Sequence, residues 1–231
     1  MIVRFFRRDR RSRTSEGELR IANLSFATAL IATLDERHPW TAGHCAAVAI
    51  YARDIAQELA LSEQDQELAH LCGLLHDIGK IGLPSGLLEK PGALTLEERK
   101  EIQGHSALGE RILAKEQGYG EIAKAVRHHH EWIDGTGYPD GLAGEEIPLM
   151  SRIVAAAEAY NTMTSDRPYA DAMPSRVARL KLAQGVEGQF DLGVVAAFEA
   201  ILARESEDYR MGVRGDFTLR APDEYSGPEE D

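Results

Sequence analysis

Cysteine is scarce, with two in 231 residues, which excludes a disulfide framework. Cys45 and Cys72 sit inside apolar helical patterns, where a reduced thiol filling a core is the expected state. Long apolar runs are missing too. The longest mostly apolar stretch, Phe26 to Leu34, is interrupted by Thr28 and Thr33 and falls far short of the ~18 residues a bilayer crossing takes. The opening MIVRFFRRDRRSR is basic but has no apolar run followed by a small-residue cleavage site, so it does not read as a secretory signal. No segment alternates with period two, no internal repeat is present, and no Gly-x-Ser-x-Gly elbow offers a serine nucleophile. These absences predict a soluble cytoplasmic protein without sheet.

Charge is one-sided. Acidic residues number 38 against 26 basic, a net of −12, and a surface of that sign repels a nucleic-acid backbone. The exception is residues 1–20, a basic arm with seven arginines and three acids. Such an arm could touch an anionic membrane surface or an acidic partner; the plainer reading is a solvated arm. Hydrophobic residues at 43% and charged residues at 28% match a globular chain. The length allows one generous domain or two small ones.

What is present is helical periodicity. Ile21, Leu24, Ala27, Leu30, Ile31 and Leu34 stack on one helix face. A second helix is predicted from about Thr41 through Val48, Tyr51, Ile55 and Leu59. A third starts at Ser62, a capping residue followed by early acids, and runs through Leu74 and Leu75 to Asp77. There glycines 79, 82 and 86 and Pro84 break it. Thr95-Leu96-Glu97-Glu98 resembles a cap opening a helix toward His105. Further helices are expected over 106–116, 120–130, 151–165, 175–185 and 191–204. Asp134 to Pro148 (DGTGYPDGLAGEEIP) holds too many glycines and prolines for regular structure and reads as a shaped loop. The expectation is one all-α domain over 21–205, with the basic arm before it and an acidic, loosely ordered tail over 206–231.

Eight histidines carry the chemistry. His76-Asp77, His105 and the run His128-His129-His130-Glu131 combine imidazoles with few carboxylates, a mixture that favours a transition metal over Mg. Neighbours on a helix point ~100° apart, so His76 and Asp77 can share one ion only at a helix end or from its edge, where the aspartate can also bridge to a second. Two ions ~3.5–4 Å apart can clamp both oxygens of a phosphoester, and water between them ionises near neutral pH. His38 and His70 read as ordinary core or surface residues.

The segments LLHDIGKIGLP (74–84), LEKPGALTLEE (88–98), HSALG (105–109), HHEWIDGTGYP (129–139) and RPY (167–169) resemble the HD-GYP domain, a subgroup of the HD metal-dependent phosphohydrolases. The resemblance covers about residues 35–200. It implies a helical bundle of the HD type with a Gly-Tyr-Pro loop, hydrolysis of cyclic di-GMP, and two divalent transition-metal ions, Fe or Mn. It places metal ligands at His44, His76, Asp77, His105, His129 and His130, with Asp77 bridging and an attacking hydroxide held between the ions. Asp77 and Lys80 would serve catalysis. Lys80 and Arg167 would face the substrate phosphates as donors, and Tyr138 would form a platform beside the cleft. His128 falls one residue outside the ligand pair. A diguanylate cyclase or a sensor protein is the partner class such a domain implies.

The sequence departs from that pattern in places. Glu158 stands where the family usually has an aspartate ligand. It keeps the carboxylate and adds a methylene, and it is expected still to bind metal. Trp40 stands one turn before His44, where members with a third metal carry glutamate, which favours two ions and pGpG over GMP as product. Asn161 replaces a common acid and Ala170 a basic residue, changes expected to weaken substrate affinity. Two other readings remain: a degenerate domain that binds cyclic di-GMP or a protein partner without turnover, and an HD-type phosphatase for another nucleotide, such as a different cyclic dinucleotide.

Overall fold

The structure is a computed structural model that describes residues 25–37, 41–88, 90, 92–166 and 171–212. His38, Trp40, Arg167, Ala170, the arm over 1–20 and most of the acidic tail lie outside the described residues. Among the described residues there is no strand, only an isolated bridge between Val186 and Phe190, and no helix is long and apolar enough to cross a membrane. The helices are α1 (25–35), α2 (Thr41–Glu58), α3 (Glu63–Leu75), α4 (Leu96–Leu113), α5 (Gly120–His128), α6 (Leu149–Thr164), α7 (Ser175–Gln184), α8 (Leu192–Arg204) and the short α9 (Glu207–Arg210). A 3-10 turn, Ile78–Gly82, follows α3.

α2 is the axis of the bundle. Cys45 through Ala52 are buried without a break, so the helix is apolar all round and must be enclosed. It packs on α3, α6 and α8. Its small side chains let α3 come so close that a Cβ on Gly73 would lie 2.8 Å from Ala49 Cα. At the other end of the core, Tyr51, Tyr160, Phe198 and Tyr209 pack with ring centroids 5.1–5.7 Å apart, mostly edge to face, the arrangement aromatic quadrupoles favour.

The caps expected from sequence form. Ser62 Oγ accepts from Asp65 N (3.2 Å), and Thr95 and Glu98 close a capping box at the start of α4. Two expectations are corrected. The helix expected to end near His105 and the one expected over 106–116 are a single helix, α4, because nothing at 105–106 interrupts the ladder and Ser106 Oγ bonds back to Gln103 O. The tail is not loose from residue 206. Ser206 caps α9, Tyr209 is buried, and its hydroxyl donates to Asp54 Oδ2 at 2.8 Å, so the packed body extends at least that far. The Gly/Pro-rich loop holds only one short 3-10 turn, Gly144–Glu146.

Candidate metal centre

Five helices deliver side chains to one place: His44 from the first turn of α2, His76 and Asp77 from the end of α3, His105 from the middle of α4, His129 and His130 from the end of α5, and Glu158 from α6. Close packing brings them together. A Cβ on Gly79 would fall 1.8 Å from His105 O, so only glycine lets the turn after Asp77 lie against α4. His76 and Asp77 straddle a helix end: His76 is the C-cap of α3, and Asp77 leaves helical geometry at φ −94°, ψ 2°.

The ligating atoms fall into two groups, His44–His76–Asp77 and His105–His129–His130, each with its atoms within 4.8 Å of one another. Asp77 stands between them. Its Oδ2 is 3.4 Å from His76 Nε2 and 3.9 Å from His44 Nε2, while Oδ1 is 3.5 Å from His105 Nε2. Glu158 reaches the second group, with Oε2 4.0 Å from His129 Nε2 and Oε1 4.0 Å from His130 Nε2. The extra methylene therefore does not take its carboxylate out of range.

The hydrogen bonds set which nitrogen faces inward. His76, His105 and His129 each donate Nδ1–H to the carbonyl three residues earlier, Gly73, Ile102 and Val126, at 2.6–2.7 Å. Their Nε2 atoms are then acceptors. His44 is held by a side chain instead, its Nδ1 lying 2.7 Å from Asn161 Oδ1. Asn161, expected to bear on the substrate, is thus buried behind His44 as its positioning partner. The missed signal was its spacing of three residues from Glu158 on one helix face.

Acceptors consequently face acceptors. His105 Nε2 and His129 Nε2 are 3.4 Å apart, and the buried His76 Nε2 and Asp77 Oδ1 make no hydrogen bond. Leaving such atoms unsatisfied costs about 1–3 kcal/mol each. A divalent cation in each group satisfies all of them at once, and an N/O donor set dominated by imidazole suits a transition ion. The residues fit the group.

Burial holds His44 and His129 down at about 3 and His105 at about 4, and pushes His130 well below its usual range. These rings are neutral near pH 7, as ligands must be. Burial also pulls on His76, but the Asp77 carboxylate outweighs it and raises that ring. For Asp77, burial pushes upward, yet the Lys80 ammonium and His76 hold the carboxyl well below the usual carboxylate range. Lys80 Nζ lies 2.5 Å from Asp77 Oδ2, so its charge sits at the centre.

The Gly-Tyr-Pro loop is tied to this cluster. Tyr138 N donates to His130 O at 3.1 Å, and the Tyr138 ring stacks on the His130 ring at 4.8 Å. Buried Glu131 accepts from Asp140 N, Gly141 N and Leu142 N at 2.7–3.1 Å, so it builds the loop rather than binding an ion. His128 turns away and places Nε2 2.9 Å from Asp140 Oδ2, outside the cluster as expected.

A cleft of about 320 Å³ opens beside the second group, lined by His129, His130 and Glu158 and by Trp132, Lys181 and Gln189, among others. The last three were not foreseen; a tryptophan two residues after a run of three histidines was the available signal.

Comparison with known proteins agrees with this geometry. The family model described as HD domain matches residues 28–205. A 3'3'-cGAMP-specific phosphodiesterase of Vibrio cholerae is 38% identical over 182 residues, covering 79% of this chain and 40% of that protein. A cyclic di-GMP phosphodiesterase of Pseudomonas aeruginosa is 38% identical over 185 residues, covering 80% and 44%. The chain thus spans less than half the length of these relatives. Among solved structures, a cyclic GMP-AMP-specific phosphodiesterase of V. cholerae superposes with a TM-score of 0.60 at 20% identity, covering 85% of this chain and 53% of the other. The HD domain of a Listeria monocytogenes phosphodiesterase in complex with cyclic-di-AMP gives 0.56 at 16% identity, covering 75% and 93%.

Proposed function

The chain belongs to the HD domain family, in its HD-GYP branch, and on that premise we propose that it hydrolyses one phosphodiester bond of cyclic di-GMP, giving mainly pGpG. The observation that carries the proposal is the placement of Asp77, with one oxygen facing each histidine group. His44, His76 and Asp77 would hold one divalent ion. His105, His129 and His130, with Glu158, would hold the other, and Asp77 would span both. Fe or Mn suits this ligand set. When bound, the pair would supply concentrated positive charge beside the phosphate and acidify water for attack at neutral pH.

The chain's own groups do the rest. Burial and backbone hydrogen bonds fix His105 and His129 as neutral rings with Nε2 turned inward, so these two need neither shed a proton nor turn to bind. Lys80 keeps Asp77 ionised and would supply the ammonium that balances charge on a nonbridging phosphate oxygen. Arg167 is proposed as a second donor to the phosphates. Tyr138, whose phenol burial pushes upward, stays stacked on His130 and holds that ring in place. The preference for pGpG rests on Trp40, which cannot ligate a third ion.

Anaerobic purification with metal analysis, followed by assay of cyclic di-GMP turnover, tests the proposal. About two ions per chain with linear product, and loss of both in His76→Ala, is the expected result. A metal-loaded protein that binds cyclic di-GMP without product would refute turnover and leave a binding domain. Activity unchanged in Glu158→Asp would mean the longer side chain already serves.

A further inference from the structure

The cleft beside the cluster has walls that the chemistry above leaves without a task. Trp132 is 38% exposed although it follows the last cluster histidine by only two residues. Its segment is held open against the loop before α8, where Ile133 N donates to Gln189 O and Asp134 N to Gly188 O at 3.4 and 2.9 Å. Buried Phe190 backs that loop. Lys181 comes from α7 and faces the same cleft. No hydrogen bond or ion pair engages the Lys181 ammonium, the Gln189 side-chain amide or the Trp132 indole N–H among the described residues.

An aromatic face, an unpaired cation and a free amide around about 320 Å³ make up a small-molecule site of modest size. The volume suits one nucleoside rather than a whole cyclic dinucleotide. Because His129, His130 and Glu158 form part of the same wall, a base seated here leaves its neighbouring phosphate at the metal centre.

We propose that this cleft is a nucleobase subsite with a preference for guanine, in which Trp132 stacks on the base while Lys181 and Gln189 read its edge. The inference rests on the cyclic-dinucleotide reading of the centre and assigns its base specificity. Stacking on an indole accepts any base. The lysine supplies the choice: an ammonium has donors only, and guanine presents O6 and N7 as adjacent acceptors, whereas adenine pairs an N7 acceptor with an N6 donor. Gln189 can give or accept and so completes either edge. A guanine subsite suits cyclic di-GMP and 3'3'-cGAMP alike and disfavours cyclic di-AMP.

The test uses the metal-loaded chain in a Trp40→Phe background, which leaves Trp132 as the single tryptophan. Its fluorescence is titrated with cyclic di-GMP, 3'3'-cGAMP and cyclic di-AMP, and kcat/KM is measured for each and for bis(p-nitrophenyl) phosphate, a diester without a base. The two guanine-containing ligands should quench Trp132 at lower concentration than cyclic di-AMP. Trp132→Leu should lower kcat/KM for cyclic di-GMP relative to the baseless diester by about five- to hundred-fold, the range of one lost stacking contact. Lys181→Met should narrow the ratio of cyclic di-GMP to cyclic di-AMP at least about five-fold, mainly through KM, as expected of a lost base-reading contact.

Turnover with silent fluorescence and wild-type ratios in both variants would overturn the subsite and leave the hydrolase standing. Guanine-selective quenching without turnover would support the subsite and overturn the hydrolase reading. Neither binding nor turnover would overturn both.

Discussion

Replacing Glu131 by alanine should loosen the Gly-Tyr-Pro loop and, through it, one half of the metal centre. The carboxylate is 2% exposed and receives three backbone N–H groups, Asp140 at 2.7 Å and Gly141 and Leu142 at 3.1 Å. Hydrogen bonds to a charged partner are worth about 1.5–3 kcal/mol each. Three of them, less the relief of no longer burying a charge and the water the opened loop regains, leave a loss of about 3–5 kcal/mol. At ~1.4 kcal/mol per factor of ten, the amides of 140–142 should exchange hydrogen roughly a hundred- to several-thousand-fold faster. Glu131→Gln keeps one acceptor oxygen and should lose about half as much. Because Tyr138 N donates to His130 O and its ring stacks on His130, metal affinity should fall in the His105–His129–His130 group and persist in the His44–His76–Asp77 group. Urea melts, amide exchange and metal titration read these effects together. A melt within about 1 kcal/mol of wild type, with unchanged exchange at 140–142, would refute the view that this carboxylate organises the loop.

Gly79→Ala must push the turn after Asp77 off α4, since its Cβ would meet His105 O at 1.8 Å; a loss of at least about 3 kcal/mol in chemical denaturation is expected, together with weaker metal binding. Asn161→Leu removes the group that faces His44 Nδ1 and should weaken metal binding about 10–100-fold in a competition titration, with Asn161→Asp restoring most of it. Burial, with Arg53 nearby, lowers half-buried His70 to about 4 from an ordinary 6.5. Its contribution to stability is therefore complete above about pH 6.5 and lost as pH falls toward 4, because the unfolded chain takes up the proton first. Wild type minus His70→Leu, followed by urea melts across that window, should isolate about 1–3 kcal/mol; curves that stay parallel would refute the assignment.

Much of this was legible because helices announce themselves locally. The Ser62 and Thr95 caps and the apolar spacing of α2 and α3 depend on neighbours a few residues away, and these elements form where expected. The expected break near His105 has no local signal behind it, since a helix ends where capping, glycine or proline ends it and none acts at 105–106. The burial of Tyr209 leaves no local mark, because its partners, Asp54 and the Tyr51 ring, lie far off in sequence. The cluster histidines could be picked out by type and motif, but the task of Asn161 depends on α6 crossing α2. The cleft walls at Trp132, Lys181 and Gln189 come from separate segments that only packing unites.

The run His128-His129-His130 shows how little separates a ligand from a bystander. All three follow one another at the end of α5, with neighbours turned by ~100°. His128 and His129 both lie against backbone carbonyls through Nδ1, those of Lys124 and Val126, yet one Nε2 meets Asp140 and the other the cluster. The carbonyl that His129 engages, like Gly73 O beneath His76, belongs to a final helical turn, where carbonyls lack intrahelical partners. Each ring thus satisfies an orphan acceptor and, in doing so, turns a lone pair inward. The same two helix ends, α3 and α5, carry the negative pole of their dipoles toward the cluster. Caps, tautomers and dipoles therefore act in one direction, lowering the potential at the point where His76, Asp77 and His129 converge. A buried set of acceptors that would repel one another in an apolar core becomes, at the meeting of two helix C-termini, a place that favours cations.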